Sequence, residues 1–206
     1  MAKPDKVLRV FSTFTGIGGF EIGIHNAANA VHMTTGKSTH VELVGYSEID
    51  KYATKIFDHH FKGVKNYGDI TKIKESDLPE FDCLVGGFPC QAFSVAGKRA
   101  GFDDTRGTLF FDLARILRAK RPRLFVFENV KGLLNHDGGR TFRVIIATIT
   151  ELGYDCQWQV LNSKNHGVPQ HRARVIIIGH LRDSPRPKVL PITRANHQVI
   201  KEIRFS

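Results

Sequence analysis

VLRVFSTFTGIGG, residues 7–19, decides the fold. The apolar run over 7–14 reads as a buried strand, and Gly16, Ile17, Gly18 and Gly19 follow it as a turn. Residues 20–30 then carry a helical pattern. Strand, glycine turn and helix open many nucleotide-binding α/β units, because glycine permits a tight turn and a close approach of backbone to ligand. A plain strand-to-helix turn has the same appearance, so this stretch sets the fold and leaves the function open.

Outward from it the elements alternate. Residues 33–40 are polar and rich in Gly and Thr and predict a loop; 41–47 predict a second strand, 51–60 a helix and 64–67 a short third strand. A short apolar strand follows over 83–86, then a long loop over 91–107 and an amphipathic helix over 108–120. A strand over 124–127 runs into Glu128 and Asn129. A helix over 141–152 and strands over 154–161 and 175–180 complete the order. Such alternation predicts parallel pairing through right-handed crossovers: an α/β chain with a Rossmann-like, doubly wound, mostly parallel sheet. Ligands in such sheets sit beyond the carboxyl ends of the strands. Residues 1–181 are expected to form one ligand-binding domain. Residues 182–206, with Pro185, Pro187 and Pro191 among basic residues, read as a linker-like tail.

The 206 residues suffice for one domain with a core, and 41% hydrophobic with 24% charged residues is ordinary for a soluble protein. No apolar run approaches the ~18 residues of a membrane span, and the first residues lack the apolar stretch of a signal peptide. A cytoplasmic protein without membrane contact is expected. Lys and Arg outnumber Asp and Glu by 30 to 20, a net charge of +10 that favours a polyanionic partner. The cysteines are Cys83, Cys90 and Cys156. An odd, sparse set is no disulfide framework, and no spacing suggests a zinc site, so no metal is expected.

Several residues carry candidate chemistry. Glu48 and Asp50 lie just past the second strand, where an acid can accept hydrogen bonds from ribose hydroxyls or simply start a helix. Asp69, in Gly68-Asp69-Ile70, is a third acid at a strand end, or a loop cap. Cys90 follows a strand and a rigid proline in Gly87-Phe88-Pro89-Cys90-Gln91, at the edge where ligands bind. A lone cysteine is often a small buried hydrophobe, but Cys83 already takes the buried position. Attack by sulfur needs the thiolate and a positive surrounding, which Lys98, Arg99 and Arg106 could supply. Glu128 ends the following strand and points to the same crevice, as a proton donor or a helix cap. Arg172 and Arg174 alternate onto one face, as an anion or base clamp or a solvated edge.

Taken in order, F-x-G-x-G-G from Phe14, S-E-I-D from Ser47, G-D-I from Gly68, G-G-F-P-C-Q-x-F-S from Gly86, R-G-x-L-F from Arg106, E-N-V from Glu128 and Q-x-R-x-R from Gln170 resemble the cytosine-C5 DNA methyltransferase family. The resemblance spans roughly residues 7 to 179. It implies the S-adenosyl-methionine-dependent methyltransferase fold and S-adenosyl-L-methionine as cofactor. Phe14, Gly16, Gly18, Glu48, Asp69, Ile70 and Leu109 would line the cofactor pocket. Cys90 would attack C6 of a cytosine flipped out of double-stranded DNA. Glu128 would protonate N3, and Arg174 and Arg172 would hold the base.

The chain departs from the family pattern in three places. Ser12 stands where the family opens its first motif with an acid. Ile49 stands where an aromatic often follows the second-motif glutamate. The family's target-recognition domain and its closing motif are not within the 206 residues. The expectation is therefore a catalytic part completed by a second subunit carrying the recognition domain. An RNA cytosine methyltransferase, or a silent methyltransferase-like interaction protein, are the competing readings.

Overall fold

The computed structural model describes residues 6–89, 109–185, 189, 190 and 192. They gather into two compact units, one within Met1–Gly87 and Ala119–Pro122, the other within Phe88–Arg118 and Arg123–Ser206. The expected loop over 91–107, Cys90 itself, and Lys98, Arg99 and Arg106 lie outside the described residues.

In the first unit, β1 (Lys6–Thr13) lies between β2 (Thr39–Ser47) and β3 (Cys83–Gly87) and runs parallel to both. Parallel neighbours need a crossover, and α1 (Gly19–Thr35) provides the one between β1 and β2. The helix runs further than its sequence pattern suggests and takes in residues 33–35, which read as loop. The hydroxyls of Thr34 and Thr35 donate back to the carbonyls of Ala30 and Val31, so these polar residues are satisfied inside the helix. Gly36, at φ +71°, then ends it with its N–H on the His32 carbonyl. The helix α2 (Lys51–His60) falls where the sequence places it, capped by Asp50. The expected strand over 64–67 is absent. That segment makes one parallel bridge, Asn66 to Tyr46, and the Asn66 amide bonds the Glu48 backbone in place of a ladder. Val10, Phe11, Tyr46, Phe57, Leu84 and Val85 form the core.

In the second unit, β4 (Leu124–Val130) and β5 (Tyr154–Asn162) both pair antiparallel with β6 (Ala173–Leu181). Parallel pairing fails here for a topological reason: no α-helix separates β5 from β6, and a short connection joins antiparallel strands. The helices α3 (Leu109–Lys120) and α4 (Arg140–Glu151) add Leu113, Leu117, Ile145 and Ile149 to a core that contains Phe125, Phe127 and Tyr154. Any Cβ at position 179 would collide with the Phe125 ring, so glycine is required there.

The described tail residues lie against β5. Gln157 Oε1 accepts the N–H of Val189 and Leu190, at 3.0 and 2.9 Å. The Gln159 amide takes the Ile192 N–H at 2.8 Å and donates to its carbonyl at 3.1 Å. Leu190 is buried within this chain. Among the described residues, no helix is long and apolar enough to cross a membrane.

Candidate active site

In the first unit the site grows from the glycine turn. Phe14 is forced into the left-handed region at φ +52° as the chain leaves β1, and its N–H donates to the Ser47 carbonyl at 2.9 Å. A non-glycine residue held so costs on the order of 1–3 kcal/mol, a strain that gathers at functional sites. Gly16 and Gly18 follow at φ +54° and +97°. A Cβ on Gly18 would come within 2.7 Å of the Phe61 ring, whereas Cβ atoms on Gly16 or Gly19 would meet nothing within 4 Å. Gly19 is the first residue of α1, and nothing in the described chain requires it to be small.

Glu48 binds this turn to the end of β2. Its Oε2 accepts the Gly16 N–H at 2.9 Å, and its Oε1 accepts those of Ile49 and Asp50 at 2.8 and 2.9 Å. A carboxylate offers about four lone pairs, so one remains for a ligand hydroxyl. Asp50 caps α2 on the N–H groups of Tyr52 and Ala53, and these bonds hold its carboxyl below the usual range. Asp69 accepts from the hydroxyl and N–H of Thr71, which likewise lower its carboxyl. Ser47 Oγ donates to the Gly68 carbonyl at 2.6 Å, so the Asp69–Ile70 turn is tied to the strand that presents Glu48.

In the second unit Glu128 and the arginines come together. Arg174 Nε lies 2.6 Å from Glu128 Oε1, with both side chains 23% exposed. Arg172 reaches the same oxygen at 3.9 Å and is half exposed. The pairing of Val130 with Arg174 across β4 and β6 fixes this clasp by register. Leu109 opens α3 in this unit.

This arrangement agrees with the comparison to known families, in which C-5 cytosine-specific DNA methylase matches residues 8–204. The chain belongs to that family. An orphan methyltransferase, M.SPRI, of Bacillus phage SPR is 52% identical over 174 residues, covering 84% of this chain and 37% of that protein. A type II methyltransferase, M1.ScrFI, of Lactococcus lactis subsp. cremoris is 48% identical over 176 residues, covering 85% of this chain and 42% of that one. The chain thus spans well under half the length of these relatives. A mutant of Spodoptera frugiperda DNMT2 matches in structure with a TM-score of 0.66 at 22% identity, over 90% of this chain and 54% of that one. The fold is the mixed α/β, Rossmann-like fold of this methylase family, and S-adenosyl-L-methionine is its cofactor.

Two residues escaped the sequence reading. Glu21, in the first turn of α1, is fully buried beside Ser12. Burial pushes its carboxyl up, while the Ser12 hydroxyl and its own backbone N–H partly oppose this. The two side chains face each other without a well-formed hydrogen bond. The signal available was that an acid of α1 sits nine residues after a serine in the family's acid position. Asn129 stands in the E-N-V motif beside Glu128. It is 2% exposed and donates to the Phe88 carbonyl.

Proposed function

We propose that this chain carries the methyl-transfer site of a DNA cytosine-5-methyltransferase. The observation that carries the reading is the clasp of Glu128 by Arg174, on a chain of the C-5 cytosine methylase family. Phe14, Gly16, Gly18, Glu48, Asp69, Ile70 and Leu109 hold S-adenosyl-L-methionine, with Glu48 toward its ribose hydroxyls. The open faces of Gly16 and Gly19 fit such a ligand. The bound donor supplies an electrophilic methyl to C5.

The chain's own residues prepare the base. Cys90, as thiolate, adds to C6 of a flipped cytosine and makes the C–S bond. Glu128 gives its proton to N3, so the electron pair moved by addition is not left as ring charge. Arg174 holds the Glu128 carboxyl in place, and Arg172 stands within reach of the same group. After transfer, a base takes the C5 proton, the C–H electron pair re-forms the C5–C6 double bond, Cys90 leaves as thiolate, and N3 returns its proton to Glu128. Residues 109–185 carry twelve Lys and Arg against six Asp and Glu, which favours a phosphate backbone as partner.

Site choice needs contacts to base edges. We assign these to a target-recognition region beyond the 206 residues, in a second subunit or elsewhere in the same protein. Residues 1–181 would be the catalytic domain and 182–206 the lead toward that region. A cytoplasmic location fits a DNA substrate. The test is transfer of labelled methyl groups from donor to duplex DNA and to RNA, by the complete protein and its Cys90→Ser variant. Incorporation into DNA that the variant lacks supports the reading. Preference for RNA, equal activity in the variant, or no transfer at all contradicts it.

A further inference from the structure

Helix α1 reverses the usual order of burial. Of its 17 residues, Glu21 is the one that is buried, while Ile22, Val31 and Met33 are 46%, 45% and 86% exposed. A buried carboxyl is costly unless it is paired and hydrogen-bonded, and Glu21 is neither. Neither of its oxygens has a well-formed hydrogen bond among the described residues, and no described cation faces it. The hydroxyls of Ser12 and Thr15 are in the same state, on residues 0% and 7% exposed. Ser12 faces Glu21 from the central strand β1, where it pairs with Tyr46 of β2 and Val85 of β3. The helix has apolar side chains that would suit a core better, and a local rule broken at such a cost marks a functional place.

Ser12 also stands where the family opens its first motif with an acid. The acid absent from the strand stands opposite it, on the helix. On the proposed function the donor lies over the open faces of Gly16 and Gly19. Glu21 follows Gly19 by two residues, on the buried side of the same turn.

We propose that Glu21 is the donor-site acid of this chain, carried on α1 in place of the strand acid that Ser12 replaces. This rests on the donor reading above. Fully buried, Glu21 touches no ligand; it is a positioning residue that acts by its charge, across the Gly16–Gly19 turn. The carboxylate lies in the first turn of α1, at the positive end of the helix. The sulfonium and ammonium groups of the donor bring the cation that the chain itself does not provide. Between groups held away from water such attraction is weakly screened. The Ser12 hydroxyl can support the carboxylate, whereas a second carboxylate at position 12 would repel it.

The experiment moves the acid between the two positions in the complete protein. Glu21→Gln, Ser12→Asp and the double variant Ser12→Asp/Glu21→Gln are compared with the wild type. Donor affinity is measured by calorimetry and melting temperature at pH 8 without donor. The kinetics of transfer to DNA are split into kcat and donor KM. Glu21→Gln is expected to bind donor about 10-fold more weakly, on the order of one charge–charge attraction inside a protein. Its donor KM should rise by the same factor, and kcat at saturating donor should stay near wild type. Its melting temperature should exceed that of the wild type, the opposite of what a purely structural role would give. The double variant should recover donor affinity. Ser12→Asp alone, with two carboxyls facing each other, should melt lower than the wild type and gain no affinity. Wild-type donor affinity in Glu21→Gln overturns the proposal and leaves the donor reading standing. A loss of affinity that the double variant does not recover overturns it as well, whatever the melting temperatures. A wild-type protein that binds no donor overturns the underlying reading, and the proposal with it.

Discussion

The two candidate sites of this chain hold their carboxylates in different ways. In the first, Glu48, Asp50 and Asp69 sit on backbone N–H groups: three for Glu48, two for Asp50, one with a hydroxyl for Asp69. In the second, Glu128, Asp112, Asp137 and Asp155 are each paired with an arginine. The charge count follows the same line. Residues 6–87 with 119–122 carry eleven Lys and Arg against ten Asp and Glu, while 109–118 with 123–185 carry ten against six. Asp69 adds Lys72 Nζ at 3.6 Å, and Glu48, on three backbone N–H groups, presents a carboxylate that suits a cationic, hydroxyl-bearing donor. A carboxylate held by arginine in a cation-rich unit suits a polyanion. On the proposed function, this difference suits the Glu48 site to the donor and the Glu128 site to the nucleic acid.

Substitutions can break that division. The largest effect is expected at Glu128. Glu128→Gln removes the proton given to N3 and should lower kcat by roughly 10²–10⁴-fold, the usual reach of a general acid, with donor affinity unchanged by calorimetry. A matching loss of donor affinity would show that the units do not divide the work.

Glu48→Ala is the converse. Its carboxylate accepts the Gly16 N–H and, on the proposed function, faces the ribose, so donor affinity should fall by about 10-fold, on the order of one charged hydrogen bond. The rate at saturating donor should stay near wild type. A large loss of kcat at saturation would merge the two sites.

The smallest effect tests Glu21, a fully buried acid of the first unit. Burial raises the Glu21 carboxyl above its unfolded value. The folded state therefore binds more protons, and stability is lost as pH rises through the folded value. Glu21→Gln removes this penalty. Its melting temperature should exceed that of the wild type at pH 8, and the gap should close as pH falls toward 4. A gap that is constant with pH would mean that Glu21 does not titrate in this range.

Most of this architecture was legible in the sequence, and the exceptions are instructive. The helix α2 was visible end to end because Asp50 caps it, and the strands were visible as apolar runs. The end of α1 was missed because Thr34 and Thr35 look like loop residues until their hydroxyls are seen bonding to the preceding turn. The antiparallel course of β6 was hidden because alternation of strand and helix says nothing of a last connection made without a helix. Glu128, Arg172 and Arg174 were found because chemistry-bearing side chains stand at strand ends, and the structure brings them together. Asn129 and Glu21 were overlooked because their importance lies in burial, which residue type alone does not reveal. Cys90, the nucleophile that the family resemblance implies, lies outside the described residues.

That role can be observed directly. Duplex DNA bearing 5-fluorocytosine at target sites, incubated with the complete protein and S-adenosyl-L-methionine, should arrest the reaction after transfer, because fluorine cannot leave C5 as the proton does. Peptide mass spectrometry should then find one covalent nucleotide adduct, on Cys90. Two other thiols serve as internal controls: Cys83 is buried, and burial beside Asp155 pushes the Cys156 thiol up to about 12. A methylated 5-fluorocytosine adduct on Cys90 is the predicted result. Methyl transfer without any adduct, or an adduct on Cys83 or Cys156, would contradict the account.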